Sequence, residues 1–288
     1  MEQTNQISVR DIQNKMLEIL LYFDDFCRKH NLKYALAGGS ALGAVRHQGF
    51  IPWDDDVDVL MLREDYEKLQ GLWEQYADTA RYSCVRSNDT VNIHHTATEI
   101  KDNNTTFINR HSVDSDINHG MMIDVIPLDG VPEGKFARIM QMVNSMIYCC
   151  FNFQRLPEHK GKLTYLATKF ALGIFRGDKI RYRLWKGAEN RLSKYGTASC
   201  KYVASFGEGA TIMRMYFPRE WFALPVDMDF EGHSLPVPAD VDAYLKINFG
   251  DYMQLPPEED QVARHDSVFI DLENSYTKYK GIYYCVEK

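Results

Sequence analysis

The chain lacks any C-x-x-C pair, although it contains six cysteines. Cys27, Cys84, Cys149, Cys150, Cys200 and Cys285 lie scattered, without the spacings of a zinc site or a disulfide framework. They read as reduced, mostly buried thiols, and so point to a cytoplasmic protein. No run of about 18 apolar residues is present, so a spanning helix is not expected. The first segment, MEQTNQISVRDIQNKM, has no basic-then-apolar layout of a secretory signal. A basic surplus is missing too: the formal net charge of -7 argues against a general nucleic-acid binder. Internal repeats and low-complexity tracts are absent, which sets aside solenoids and disordered linkers.

What is present is globular. At 288 residues and 45% hydrophobic, the chain can bury a sizeable core in one large domain or two modest ones. Val9, Ile12, Met16, Ile19, Phe23 and Phe26 recur at helical spacing, predicting an amphipathic helix over 8–30 that stops at Asn31. A short strand over 34–37, a glycine turn and a short helix through Arg46 follow, then a strand over 57–62 and a helix over 63–76. Weaker strands are expected at 81–86 and 97–101, and a stronger one at 121–126. Residues 133–195 carry helical patterns, "VDMDFEGHSLPVP" reads as a hairpin, and 239–249 as a helix. The resulting division is an α/β core over 1–132 and a helical or irregular part over 133–288.

The densest chemistry lies in "GGSALGAVRHQGFIPWDDDVDVLML", residues 38–62. Asp56 and Asp58 flank Val57, and the period of two puts both carboxylates on one strand face with Val57 on the other. Two carboxylates aimed at one point suit Mg²⁺ or Mn²⁺, which in turn binds phosphates. Ahead of them, Gly39 and Ser40 open a helix whose free N–H groups favour anions, and Arg46 adds a planar cation. Phosphoryl chemistry of this type uses a further acid, and Asp124 in the apolar run MMIDVIP is the candidate. Asp54 and Asp55 can equally be turn residues or ligands.

The order strand, Gly-Ser turn, helix, Asp-x-Asp strand and later strand acid resembles the nucleotidyltransferase superfamily. More narrowly, "GSALGAVRHQGFIPWDDDVDVLMLREDYEKL", residues 39–69, resembles the LicD family. That family includes bacterial phosphocholine transferases and is related to the fukutin proteins. The resemblance continues in "MIDVIPLDG", "YFPREWF", "DFEGHSLPVP", "YLKINFGDYMQLPP" and the Arg264-His265 pair. It implies a polymerase-β-like core, a mixed sheet flanked by helices, with a helical C-terminal part completing the acceptor side. It also implies transfer of a phosphorylated small alcohol, phosphocholine from CDP-choline being the best-known case, to a sugar hydroxyl with release of CMP. The partners implied are a CDP-activated donor and a cell-surface glycan acceptor such as lipopolysaccharide, teichoic acid or capsule. Carried over by position, Asp56, Asp58 and Asp124 would hold the metal, with Asp124 alternatively a base. Gly39, Ser40 and Arg46 would cradle the diphosphate, and Arg264 and His265 would contact substrate. The cysteine cluster that supports a zinc-binding insert in the related animal proteins is absent. Two rivals stand beside this reading: nucleoside monophosphate transfer from a triphosphate with release of pyrophosphate, and a non-catalytic nucleotide- or glycan-binding module.

Four further features have competing explanations. His94-His95 suggests a metal, but neighbours on a strand point oppositely, which favours a non-metal reading. Lys101, Asp102 and Thr105 are candidates for reaching substrate from a sheet edge. Trp53, Tyr202 and Trp221 suit either a cation-binding aromatic box or, more commonly, the core. Between Lys160 and Lys194 stand ten Lys/Arg against two acids, Asp178 and Glu189. That block is either a solvated helical face or a surface that touches the inner face of the membrane, where the glycan acceptor would be lipid-linked.

Overall fold

The structure is a computed structural model and describes residues 7–156, 161–209, 211–263 and 267–287. Helix α1, Val9–Lys29, begins at a capping box in which Ser8 and Asp11 satisfy each other's backbone N–H groups. It buries Ile12, Met16, Ile19, Phe23 and Phe26, the expected stripe. Asn31 ends it with φ +59. Strand β1, Tyr34–Leu36, leads through the glycine turn into α2, Gly38–His47. Strand β2, Asp58–Leu62, and α3, Arg63–Tyr76, follow. Strands β3, Tyr82–Val85, β4, Thr98–Asp102, and β5, Thr106–Asn109, precede the eleven-residue β6, Met121–Val131.

The following stretch is helical, as the pattern predicts: α4, Lys135–Phe153, α5, Gly161–Ile174, and α6, Asp178–Leu192. The C-terminal part is not only helical, however. Strand β7, Tyr202–Ala204, pairs with the end of β6 and with β8, Phe217–Pro218. After the one-turn α7, Glu220–Ala223, strands β9, Val226–Phe230, and β10, His233–Val237, form the expected hairpin. Its loop is Glu231-Gly232, both at positive φ, which matches strand twist. Helix α8, Val241–Phe249, follows, and β11, Ser267–Asp271, pairs with β5. Strands of two to five residues carry too few alternations to stand out from loops, so β5, β7, β8 and β11 have no counterpart in the sequence reading.

The main sheet runs β1-β2-β6-β4-β3, with β2 and β6 parallel and the other pairs in that path antiparallel. Its core joins the α1 stripe to Val59, Met61, Val125 and Leu128, and draws in Phe217, Phe222, Phe230 and Tyr244 from beyond residue 200. A second cluster, around Tyr148, Trp185, Ala188 and Phe206, holds α4 against α6. Of the aromatic-box candidates, Trp53 and Trp221 pack on the first cluster and Tyr202 on the second, so the three form no box.

Helix α2 is braced tightly against the loop that follows it. A Cβ placed on Gly43 would lie 2.3 Å from the backbone oxygen of Gly49. Backbone cannot swing aside as a side chain can, so Gly43→Ala should cost about 1–3 kcal/mol of stability, read as a lower urea midpoint at unchanged m-value. An unchanged midpoint would contradict the close approach.

Candidate active site

The glycine turn, β2 and α8 meet at one point. Gly38 takes φ +46, which a side chain would resist, and its N–H donates to the buried Tyr244 hydroxyl at 3.0 Å. The Ala37 N–H donates to the Asp58 carbonyl at 2.9 Å, and the Asp58 N–H donates to Ser40 Oγ at 3.1 Å. Ser40 is thereby a brace between helix and strand, with its hydroxyl proton left to give. Gly39 packs against Asp54, whose Oδ2 would lie 2.4 Å from an added Cβ. The buried Gln13 side chain donates to the carbonyls of Ile51 and Asp54 at 3.0 and 2.9 Å, so α1 holds the acidic loop in place. Asp55 is buried within that loop.

The alternation of Asp56, Val57 and Asp58 appears in the burial: Val57 is buried, and the two aspartates are half-buried. Asp58 begins β2, so Asp56 lies just ahead of the strand. The register then adds what no linear pattern shows. Asp58 pairs with Asp124 across β2 and β6, and Asp124 pairs with Glu99 across β6 and β4. Residues paired across adjacent strands share a face, so three acids form one row.

A cation already sits against this row. His95 Nδ1 lies 3.2 Å from Glu99 Oε1 and 3.7 Å from Asp124 Oδ2, and Lys101 Nζ lies 2.9 Å from Glu99 Oε2. Burial works against a charged His95, but Asp124, the close approach of Glu99 and the Asp58 charge outweigh it and lift its pKa to about 9. Burial would raise Glu99, yet Lys101 and His95 hold it well below the carboxylate range. Asp58 behaves oppositely: burial first, then Asp56, Asp124 and Glu208, push it well above that range. Burial likewise raises Asp124, with His95 opposing. Asp124 Oδ1 is buried with no hydrogen-bond partner among the described residues. An orphaned carboxylate oxygen beside other acids is a donor set that fits a hard divalent cation. His95, Glu99 and Asp124 also bring their ligand atoms within 4.8 Å of one another, a second way to hold a cation at Asp124, open only to the neutral ring of His95.

Beside the row opens a groove of about 600 Å³ whose lining includes Gly39, Arg46, Trp53, Asp54, Asp56 and Tyr252. Arg46 spends Nε on His47 Nε2 at 3.0 Å and Nη1 on the Tyr252 carbonyl at 2.9 Å. Accepting on Nε2 makes His47 neutral, and burial and Arg46 both lower its pKa. Gly39, Ser40, Arg46, Asp56, Asp58 and Asp124 are thus brought together, whereas Arg264 and His265 lie outside the described residues.

Two expectations are corrected. Lys101, Asp102 and Thr105 do not reach outward; all three are buried, Lys101 against Glu99 and Thr105 in hydrogen bonds to the Asp102 carbonyl and the Met121 N–H. The alternation argument for His94-His95 fails because the pair precedes β4 and His94 has φ +57. His94 contacts the Asn152 carbonyl at 3.3 Å, and His95 turns to the acids. Glu99, Glu208 and Tyr244 are further groups at the site without a motif of their own. Only the two-residue spacing of Glu99 and Lys101 on β4 hints at a shared face.

Residues 31–136 match the family model described as LicD/FKTN/FKRP, nucleotidyltransferase domain. Over 266 residues the chain is 30% identical to the lipopolysaccharide cholinephosphotransferase LicD of Haemophilus influenzae, covering 90% of this chain and 97% of that protein. An uncharacterised protein of Rickettsia prowazekii is 50% identical over 48 residues, 17% of this chain and 18% of its own length.

Proposed function

The chain belongs to the LicD family, and from that premise we propose that it is a phosphotransferase moving phosphocholine from CDP-choline to a hydroxyl of a cell-surface glycan, lipopolysaccharide foremost, with release of CMP. The observation that carries the reading is the row Asp58, Asp124 and Glu99 across three adjacent strands, beneath a glycine turn and beside a groove lined by Arg46. The similarity to a cholinephosphotransferase over nearly the whole chain supports the substrate class. A polymerase-β-like core is part of the same proposal, supported by the family description and by the mixed sheet.

Asp56, Asp58 and Asp124 would hold Mg²⁺ or Mn²⁺, which supplies charge neutralisation at the diphosphate. The remaining work falls to the chain. Arg46 and the amides of the turn after Gly38 grip the donor phosphates in the groove. The hydroxyl oxygen of the sugar attacks the phosphorus distal to the cytidine as its proton passes to Asp124 acting as base or to solvent. The new P–O bond forms, and the bond to the bridging oxygen breaks with its electron pair leaving on CMP. Positioning and electrostatics supply most of the rate in such in-line transfers. His95, cationic beside Asp124, limits the negative charge the row presents to the donor.

Incubation of the protein and Mg²⁺ with a panel of CDP-alcohols and lipopolysaccharide tests this. CMP release with CDP-choline, together with choline label in the glycan, is expected. Pyrophosphate release from a nucleoside triphosphate would replace the reading with nucleotidyl transfer, and binding without any product would leave a non-catalytic module.

A further inference from the structure

Helix α5 is almost unpartnered along one side. Leu166, Phe170 and Ile174, four residues apart, are 59%, 71% and 56% exposed, and Ile180 at the start of α6 is 48% exposed. Such a spacing puts the first three on one helix face. Lys169, Arg176, Lys179 and Arg183 are exposed around them, and Asp178 is the one exposed acid from 164 to 194, because Glu189 is buried in an ion network. No helix of the described residues is long and apolar enough to cross a membrane.

This pairing of surface apolar groups with unopposed cations narrows the occupant. A second copy docked face to face would set Lys169, Arg176, Lys179 and Arg183 against their own counterparts. A surface of anionic lipid headgroups offers opposite charge to the basic ring and hydrocarbon to Leu166, Phe170 and Ile174. The patch is also joined to the candidate site. Phe175 packs edge-on to Phe151 of α4 at 5.6 Å, and two residues on, Phe153 lies 6.4 Å from His95.

We infer that the α5–α6 hairpin docks the protein on an anionic membrane surface, lying in the interface and bringing the carboxylate row to acceptors held at that surface. Only the identity of the acceptor rests on the proposed transfer; membrane contact does not. Flotation with vesicles, which involves no turnover, keeps the two apart.

The full chain is floated with vesicles of phosphatidylglycerol and phosphatidylcholine, and with phosphatidylcholine alone. Co-flotation with the anionic vesicles is expected. At about fivefold per basic residue near such a surface, Lys179→Gln with Arg183→Gln should lower partitioning about 25-fold. Leu166→Ser, Phe170→Ser and Ile174→Ser together should abolish it, with circular dichroism and CMP release from CDP-choline in solution unchanged. Failure of the wild type to float, or equal flotation of the variants, would overturn the inference. So would a dimer in sedimentation that the serine variant dissociates, since the face would then be a contact between copies.

Discussion

Asp58→Asn is expected to reduce phosphocholine transfer by about a thousandfold or more, the scale lost when a charge-stabilising group is removed at a reacting phosphate, while the protein remains folded. Asp58 is the member of the row most crowded by like charge, with Asp56, Asp124 and Glu208 all raising its pKa after burial itself. Such crowding destabilises the fold, and His95 offsets only part of it. The asparagine variant, nearly isosteric, should therefore melt higher than the wild type in chelator. Adding millimolar Mg²⁺ or Mn²⁺ should raise the wild-type melting temperature by mass action and leave that of the variant nearly unmoved. The crossing of the two responses is the diagnostic, because a purely structural aspartate would lose stability on substitution in both conditions. Retained transfer by Asp58→Asn would remove Asp58 from the proposed metal set, whatever the melting curves show.

The second large effect lies away from the groove. Arg63 donates Nε and Nη2 to the two oxygens of Asp129 at 2.7 and 2.8 Å, and all of this is buried. Glu189 joins them at 3.3 Å and takes Arg86 at 2.6 Å. The network ties α3 and β6 to α6, so it fastens the helical segment to the sheet. Removing one partner strands its opposite charge in a dry interior. Arg63→Met should cost about 3–5 kcal/mol, measured by urea denaturation, because Asp129 then loses its bidentate cation while Glu189 keeps Arg86 and Lys186. Adding Asp129→Leu should restore a good part of the loss, since a hydrophobic pair leaves less uncompensated charge than a broken ion pair. If the double variant were no more stable than the single one, the loss would lie in packing instead of charge. Neither residue lines the groove, so transfer by the surviving folded fraction should be near normal.

The sequence alone determined the elements with long periodic patterns. Helices α1 and α3 stand within a residue of their expected bounds, because an amphipathic stripe over four or more turns has few alternatives. It also determined local features of the candidate site: the turn at Gly38 and Gly39 and the shared face of Asp56 and Asp58 follow from contiguous residues, whereas the role of Ser40 as a brace to the Asp58 N–H does not. Asp124 was reachable because an acid within an apolar strand has few inexpensive explanations.

Tertiary structure decided the rest. Which strand lies beside β2 is a matter of sheet order, and only the parallel register of β2 with β6 sets Asp124 against Asp58. The same holds for Glu99 on β4 and for Tyr244, which reaches the Gly38 N–H across 206 positions. His95 shows the distinction most sharply. Its neighbours suggested a strand, and strand alternation argued it away from a site, yet the chain bends before β4 and delivers its ring to Glu99 and Asp124. The acidic row is costly locally and is tolerated because distant residues supply His95 and Lys101 as partners. Local sequence carries the pattern of each element, but electrostatic compensation depends on distances between elements, and those exist only once the chain has folded.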